Sequence, residues 1–147
     1  MMFDRKAYNK WDSWGKDIII EWLSSKGHTL VHNPNRYGID LYSDLNGKLY
    51  LWEVEVSTVR TWNNEEEYPN ETVSFLGRKS KWSGLPFFYC IICSKTKAIL
   101  CCRSQDIFKE AYKVEKYVAN KDRVEVFYHV PKELCIFVKN THKGGGH

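Results

Sequence analysis

The feature that most constrains this chain is the dipeptide Asn46-Gly47, which lies between two runs of alternating apolar and polar residues. Asn-Gly favours a two-residue type I′ turn, because both residues tolerate a positive φ and the turn matches the twist of the flanking strands. Such a turn pairs Leu45 with Lys48 and thereby fixes every pair further out along the hairpin. The pairing predicts that Asp40 lies opposite Glu53.

A third acid joins this pair. Strand side chains alternate between the two faces, so Glu55 projects from the same face as Glu53. Carboxylates that crowd together in a half-buried position have raised pKa values or need a compensating cation, most simply a divalent metal. The alternative is a solvent-facing acidic strand end. Against it stands the apolar character of both faces: Tyr42, Leu49 and Leu51 share the acidic face, and Ile39, Leu41, Trp52, Val54 and Val56 line the other.

Length and composition predict one folded domain. The chain has 147 residues, of which 43% are hydrophobic and 15% aromatic, and these values exclude a disordered protein. We assign residues 1–138 to a single domain and residues 139–147 to a disordered tail. The sequence contains no long apolar run and no apolar signal-peptide core, so we expect a cytoplasmic or other intracellular protein without membrane contact. A net charge of +4 permits a polyanionic partner.

The five cysteines are predicted to be core thiols. An odd number excludes a complete disulfide framework. Cys90, Cys93, Cys101 and Cys102 lie in apolar runs that are typical of buried strands, which favours packing over the alternative of a zinc knuckle. In a strand, Cys90 and Cys93 would face opposite sides of the sheet.

Periodicity and turn residues predict the order of elements. The first helix has an apolar stripe, a candidate cap at Asn9 or Asp12, and Gly27 at its end. The predicted elements are a helix over 11–26, a strand over 28–33, a turn over 34–37, the hairpin, a polar loop or flap over 60–72, a short basic helix over 72–83, strands over 85–93 and 98–102, a helix over 104–118 capped by Ser104, and strands over 124–130 and 134–138.

This order resembles the PD-(D/E)XK nuclease superfamily over residues 11 to 103. The matching residues are Gly38-Ile39-Asp40 for the strand-borne acid, Glu53-Val54-Glu55 for the second motif, and Glu21 for the helix glutamate found in several branches. The resemblance implies an α/β fold with a restriction-endonuclease-like core, in which helices flank a central mixed β-sheet.

The chain departs from the family where Glu55 replaces the usual lysine. That lysine helps to position the attacking water and to offset charge on the phosphate. Glu55 is therefore either a general base or a further metal ligand. Lys79 or Lys81 of the basic segment is a candidate for a migrated cation, and the alternative for each is a simple contact with phosphate or solvent.

The implied chemistry is phosphodiester hydrolysis, which needs an activated water and neutralisation of charge in the transition state. Magnesium prefers carboxylate, carbonyl and water oxygens, and Asp40, Glu53 and the backbone carbonyl of Val54 offer such ligands. Manganese is an expected substitute. The predicted catalytic residues are Asp40, Glu53, Glu55, Glu21 and Lys79.

The predicted partner is DNA, with RNA left open. Arg60, Arg78, Lys79 and Lys81 are the candidates for nucleic-acid binding, with Lys95 and Lys97 as further phosphate contacts. Trp62 and Trp82 either stack on bases or pack within the protein. A homodimer that cuts both strands is implied by the resemblance only.

Three functions remain open on the sequence. The first is a magnesium-dependent endodeoxyribonuclease, a hydrolase that binds Mg²⁺ through its acid cluster. The second is a catalytically inactive nucleic-acid-binding or assembly protein that keeps the nuclease fold. The third is a protein-interaction domain whose acidic cluster is merely surface. Fold alone does not decide among them.

Overall fold

The computed structural model describes residues 5–31, 38–82 and 86–139. No helix in these ranges is both long enough and apolar enough to cross a membrane. The described elements are the helix α1 (Arg5–Ser25), the strands β1 (Thr29–Val31), β2 (Leu41–Leu45), β3 (Lys48–Ser57), β4 (Thr72–Leu76), β5 (Phe88–Cys93), β6 (Ile99–Arg103), β7 (Lys113–Val118), β8 (Arg123–Pro131) and β9 (Ile136–Val138), the short helix α2 (Ser104–Ile107), and 3₁₀ helices at Gly77–Trp82, Glu110–Tyr112, Ala119–Lys121 and Lys132–Leu134.

The strands form two sheets. Six strands lie in the order β1-β2-β3-β5-β6-β9, and three lie in the order β4-β8-β7. In the larger sheet β3 and β5 are parallel, and the other neighbouring pairs are antiparallel. The fold is therefore α/β with a mixed sheet, as predicted, but the described part of the chain has few helices to flank it.

The hairpin has the predicted register. Asn46 has φ 53° and Gly47 φ 85°, so both adopt the positive φ that the tight turn requires. Pairing runs from Leu45 with Lys48 to Leu41 with Trp52, where the ladder ends. The prediction for Ile39 is wrong, because its side chain is buried in the cluster on the opposite face from Leu41 and Trp52. Strict alternation no longer applies to residues beyond the last ladder pair.

Both faces of the large sheet are covered. On one face Ile19 and Leu23 of α1 pack against Trp52 and Ile92. On the other face the smaller sheet packs its own buried residues against the sheet, among them Val73, Phe75 and Val130 with Tyr89 and Leu100. The part of the hairpin that carries Glu53 and Glu55 is thus covered on both faces, as predicted, whereas its turn end is exposed and Leu49 is 50% exposed.

All five cysteines are buried free thiols, which confirms their assignment to the core. Cys90 and Cys101 lie on the face covered by α1, where their Sγ atoms are 2.7 Å apart. Cys93 and Cys102 lie on the opposite face. The prediction that Cys90 and Cys93 face opposite sides is therefore confirmed.

The first helix is longer than predicted. It begins at Arg5, so Asn9 and Asp12 are helix-interior residues and neither caps it. Its end is as predicted: Gly27 has φ 91°, and the N–H of His28 donates to the carbonyl of Leu23. Residues 32–37, with the predicted turn, and residues 140–147 of the predicted tail lie outside the described residues.

Two predicted helices are wrong. Residues 72–76 form β4, and only Gly77–Trp82 is helical, as a 3₁₀ segment. The helix predicted from Ser104 to Val118 ends at Ile107, and residues 113–118 form β7. Ser104 does not cap it, since its Oγ accepts the N–H of Phe87 at 3.0 Å. Both wrongly predicted segments pair with β8: β4 with a distant part of the chain, and β7 in a hairpin across the short segment Ala119–Lys121. Strand pairing outweighs local helix propensity in both.

The polar loop is correctly placed but was wrongly excluded from the core. Residues 58–71 contain no helix or strand, yet Trp62 and Tyr68 are buried in the cluster beneath the smaller sheet. Their rings meet edge to face with centroids 5.2 Å apart. Trp62 therefore packs within the protein and is not placed to stack on a base.

Gly15 tests how closely α1 packs on the sheet. An added Cβ would lie 2.7 Å from Cγ2 of Val56, whose branched side chain cannot easily turn away. Alanine in a helix interior normally stabilises by about 1 kcal/mol relative to glycine. We nevertheless expect Gly15→Ala to lower the free energy of unfolding by roughly 1–2 kcal/mol, measured by urea denaturation. In a Val56→Ala background the same change should be neutral or stabilising, and equal destabilisation in both backgrounds would contradict the contact.

Candidate active site

Asp40 and Glu53 are locked together by two hydrogen bonds. The N–H of Asp40 donates to Oε2 of Glu53 at 2.8 Å, and the N–H of Val54 donates to Oδ2 of Asp40 at 2.9 Å. These bonds begin just past Leu41, where the backbone ladder between β2 and β3 ends. Side-chain oxygens thus continue the pairing, and Asp40 stands level with Glu53 as the turn predicts.

Glu53 is a buried carboxylate with a lysine partner. It is 1% exposed, which contradicts the alternative of a solvent-facing acidic strand end. Its Oε1 accepts a hydrogen bond from Nζ of Lys79 at 2.5 Å, and Lys79 comes from the 3₁₀ segment that follows β4. A buried carboxylate without a partner is costly, so the ammonium is its charge compensation. The structure thus brings Lys79, one of the two candidate lysines, to the acid pair.

The environment of Asp40 shifts its titration towards neutral pH. Burial, and then repulsion by Glu53, raise the pKa of Asp40 to about 6, and the N–H of Val54, Lys79 and Lys16 oppose that rise. Nζ of Lys16 lies 3.8 Å from Oδ1 of Asp40. Lys16 was missed by sequence reasoning, although its spacing from Ile19 places it in phase with the buried stripe of α1.

Glu55 shares the face of Glu53 and is held by a tyrosine. The hydroxyl of Tyr89 donates to Oε1 of Glu55 at 2.5 Å and accepts the N–H of Leu76 at 3.3 Å. Burial raises the pKa of Glu55, and the Tyr89 hydrogen bond and the charges of Lys79 and nearby arginines oppose that rise. Burial and the charge of Glu55 also raise the pKa of Tyr89 well above its ordinary value. Sequence reasoning missed Tyr89, whose signal is its place in the strand paired with β3.

The acids do not form a three-carboxylate metal site. Within the residues that the structure describes, no three histidine, cysteine, aspartate or glutamate side chains are grouped to hold a metal ion. The predicted ligand set of Asp40, Glu53 and the carbonyl of Val54 contains only two such side chains and stays a prediction. The donor chemistry fits magnesium, because carboxylates are hard oxygen ligands. Asp40 and Glu53 repel each other at a buried position, and a bound cation would reduce that repulsion.

The remaining predicted residues lie on α1, on the loop after β3 and on the 3₁₀ segment Gly77–Trp82. Glu21 is exposed on α1, about 140° around the helix from Lys16, and its role stays a prediction. Arg60 is half-buried, and its Nε donates to Oδ1 of Asn70 at 2.8 Å. Arg78 and Lys81 occupy exposed positions on the same 3₁₀ segment as Lys79. The side chain of Trp82 lies outside the described residues.

Comparison with known proteins assigns no family. No family model, no curated protein and no solved structure matches this chain. The resemblance to PD-(D/E)XK nucleases thus stays a prediction that depends on the short acidic motifs and the order of the elements. The contacts among Asp40, Glu53, Glu55, Lys79 and Tyr89 are the basis for assigning a function.

The raised pKa of Asp40 predicts a pH-dependent stability. Between pH 3.8, its ordinary pKa, and about pH 6, the folded state holds a proton that the unfolded state has lost, so stability falls as pH rises. Relative to Asp40→Asn, the wild type should lose roughly 3 kcal/mol of unfolding free energy across this window. Denaturant titrations of both proteins at several pH values measure this difference, and parallel pH profiles would contradict the shift.

Removal of either partner of the Glu53–Lys79 pair should have unequal effects. Lys79→Met leaves a buried carboxylate unpaired and should cost about 3–5 kcal/mol of unfolding free energy. Glu53→Gln should cost less, because the Lys79 side chain is 23% exposed and can turn to water. Adding Glu53→Gln to Lys79→Met should restore most of the loss. A double-mutant cycle by urea denaturation measures this coupling, and additive effects would show that the pair is not stabilising.

Proposed function

We propose that this chain is a metal-dependent endonuclease with a restriction-endonuclease-like core, which hydrolyses phosphodiester bonds of DNA. The observation that carries the proposal is the contact of Lys79 with Glu53 at 2.5 Å, next to Asp40. It supplies a lysine to an acid pair whose sequence motif has Glu55 in the lysine position. In an ordinary acidic strand end, Glu53 would be exposed to solvent and would not pair with a lysine from a distant segment.

Asp40 and Glu53, with the carbonyl of Val54, are the residues that would hold Mg²⁺ or Mn²⁺. Such an ion, when bound, supplies a Lewis acid and lowers the pKa of a water molecule. Lys79, which pairs with Glu53, would offset negative charge on the phosphate as the new bond forms. Its contact with Glu53 also holds the glutamate side chain in place.

Glu55 is the candidate general base. Its raised pKa brings its proton affinity closer to that needed to accept a proton from water near neutral pH. The hydrogen bond from Tyr89 fixes the orientation of the carboxylate, and Leu76 in turn holds the tyrosine hydroxyl. This assigns the acid that departs from the family pattern to proton transfer, with Lys79 in the cationic role.

A second candidate function is a nucleic-acid-binding or assembly protein without catalysis. It is favoured by the grouping of the acids, because Glu55 is engaged by Tyr89 and no three-carboxylate metal site forms among the described residues. This function needs no metal. It predicts salt-sensitive binding to nucleic acid that is unchanged by Mg²⁺ and by Asp40→Asn.

The nuclease proposal predicts that the wild type nicks supercoiled plasmid in Mg²⁺ or Mn²⁺. Asp40→Asn keeps an acceptor for the N–H of Val54, so it should fold normally and yet lose activity by at least about 100-fold. Lys48→Gln, at an exposed position beside the hairpin turn, is the matched control and should cut like the wild type. Linear product besides nicked circles would indicate paired subunits.

Wild-type inactivity with both metals, on plasmid, single-stranded DNA and RNA, would contradict the nuclease proposal. Isothermal calorimetry with Mn²⁺ adds an independent reading, because metal affinity should fall in Asp40→Asn even where turnover is slow. An affinity for nucleic acid that is the same with and without metal, and the same in Asp40→Asn, would favour the second function.

A further inference from the structure

A basic groove lies beside the acid pair, between the 3₁₀ segment Gly77–Trp82 and the edge of β8. It has a volume of about 380 Å³. It exists because β4 pairs with β8 only as far as Phe127, while β8 itself begins at Arg123. The chain turns away at Gly77, where an added Cβ would lie 2.5 Å from the carbonyl oxygen of Val126. The edge of β8 beyond Phe127 thus forms one wall of the groove.

The groove carries an excess of positive charge. Its charged lining residues are Arg78, Lys113, Arg123 and Glu125. Oε1 of Glu125 lies 2.9 Å from Nζ of Lys121 and 3.3 Å from a guanidinium nitrogen of Arg123. These cations lower the pKa of Glu125, which stays ionised. Nζ of Lys113 in turn lies 3.8 Å from Oε2 of the exposed Glu110, so the three cations of the groove outnumber the two acids beside them. The remaining lining includes the apolar Leu76 and Val126 and the buried Tyr128.

The groove adjoins the acid pair through consecutive residues. Arg78 lines the groove, and Lys79 contacts Glu53. A 3₁₀ helix has about three residues per turn, so neighbouring side chains diverge by about 120° from Cα atoms about 3.8 Å apart. The charge of Arg78 also acts on Glu55, the third acid of the site. The groove is thus linked to the acids through Arg78 and Lys79.

We propose that this groove binds the sugar-phosphate backbone of one nucleic-acid strand and leads it to Asp40 and Glu53, an inference that rests on the nuclease function. Exposed arginine and lysine side chains neutralise phosphates, and the apolar lining suits the sugars between them. The volume accommodates the backbone of one strand rather than a duplex. Lys113 and Arg123, on strands outside the acidic motifs, thereby become substrate-binding residues.

The test is binding of a fluorescein-labelled single-stranded oligonucleotide, measured by fluorescence anisotropy in EDTA so that no cleavage occurs. The variant combines Arg78→Gln, Lys113→Gln and Arg123→Gln. It should raise Kd at least about 10-fold and lower the slope of log K against log salt by about 2, from three lost contacts at about 0.7 each. A control with the same charge change replaces the exposed Lys26, Lys48 and Lys139 by glutamine.

The control should change Kd and the salt slope much less than the groove variant. Equal weakening by the two variants, or unchanged binding in the groove variant, would overturn the groove. Thermal melting checks that both variants fold. If the wild type does not cleave plasmid but the groove variant weakens binding more than the control does, the assignment of the groove as a binding site is supported and the nuclease proposal is contradicted. If the groove variant cleaves plasmid with the KM of the wild type, only the assignment of the groove as a binding site is contradicted.

Discussion

A buried carboxylate on the central strand is the constraint on which the rest of the site depends. Glu53 needs partners for both oxygens, because an unpaired buried charge costs several kcal/mol. One partner is the N–H of Asp40. It reaches Glu53 because the backbone ladder of the hairpin stops at Leu41, one residue short of Asp40. The other, Lys79, requires the 3₁₀ segment after β4 to lie over β3. One side chain thus joins the hairpin to the connection between the parallel strands.

That connection differs from the helix that usually links parallel strands. Between β3 and β5 the described chain has a loop, β4 and a 3₁₀ segment, and the loop buries Trp62 and Tyr68. Because β4 pairs with β8, the smaller sheet is tied to the segment that carries Lys79. The same arrangement leaves the groove between the edge of β8 and the segment that carries Lys79. The covering sheet therefore shapes the candidate site as well as the core.

The electrostatics of the site follow from burial and from the sign of nearby charges. Asp40 titrates near pH 6 because burial and Glu53 disfavour its charged form. The pKa of Glu55 is raised by burial, and Tyr89 keeps its carboxylate in one orientation. A carboxyl group with a raised pKa accepts a proton more readily than an ordinary surface acid does. The contacts of Lys79 and Lys16 limit these shifts.

Local rules, namely the chemistry of the turn and the alternation of strand side chains, were enough to predict that Asp40 lies opposite Glu53 and that Glu53 and Glu55 share a face. The apolar runs around the cysteines were likewise enough to predict their burial. The strand β4 was not predictable, since it depends on pairing with the distant β8, whereas β7 forms a local hairpin with β8 that the predicted helix over 104–118 missed. Which lysine meets Glu53 and which hydroxyl holds Glu55 were likewise decided by tertiary structure. A buried charge takes the partner that distant segments bring to it, and no local pattern encodes that distance.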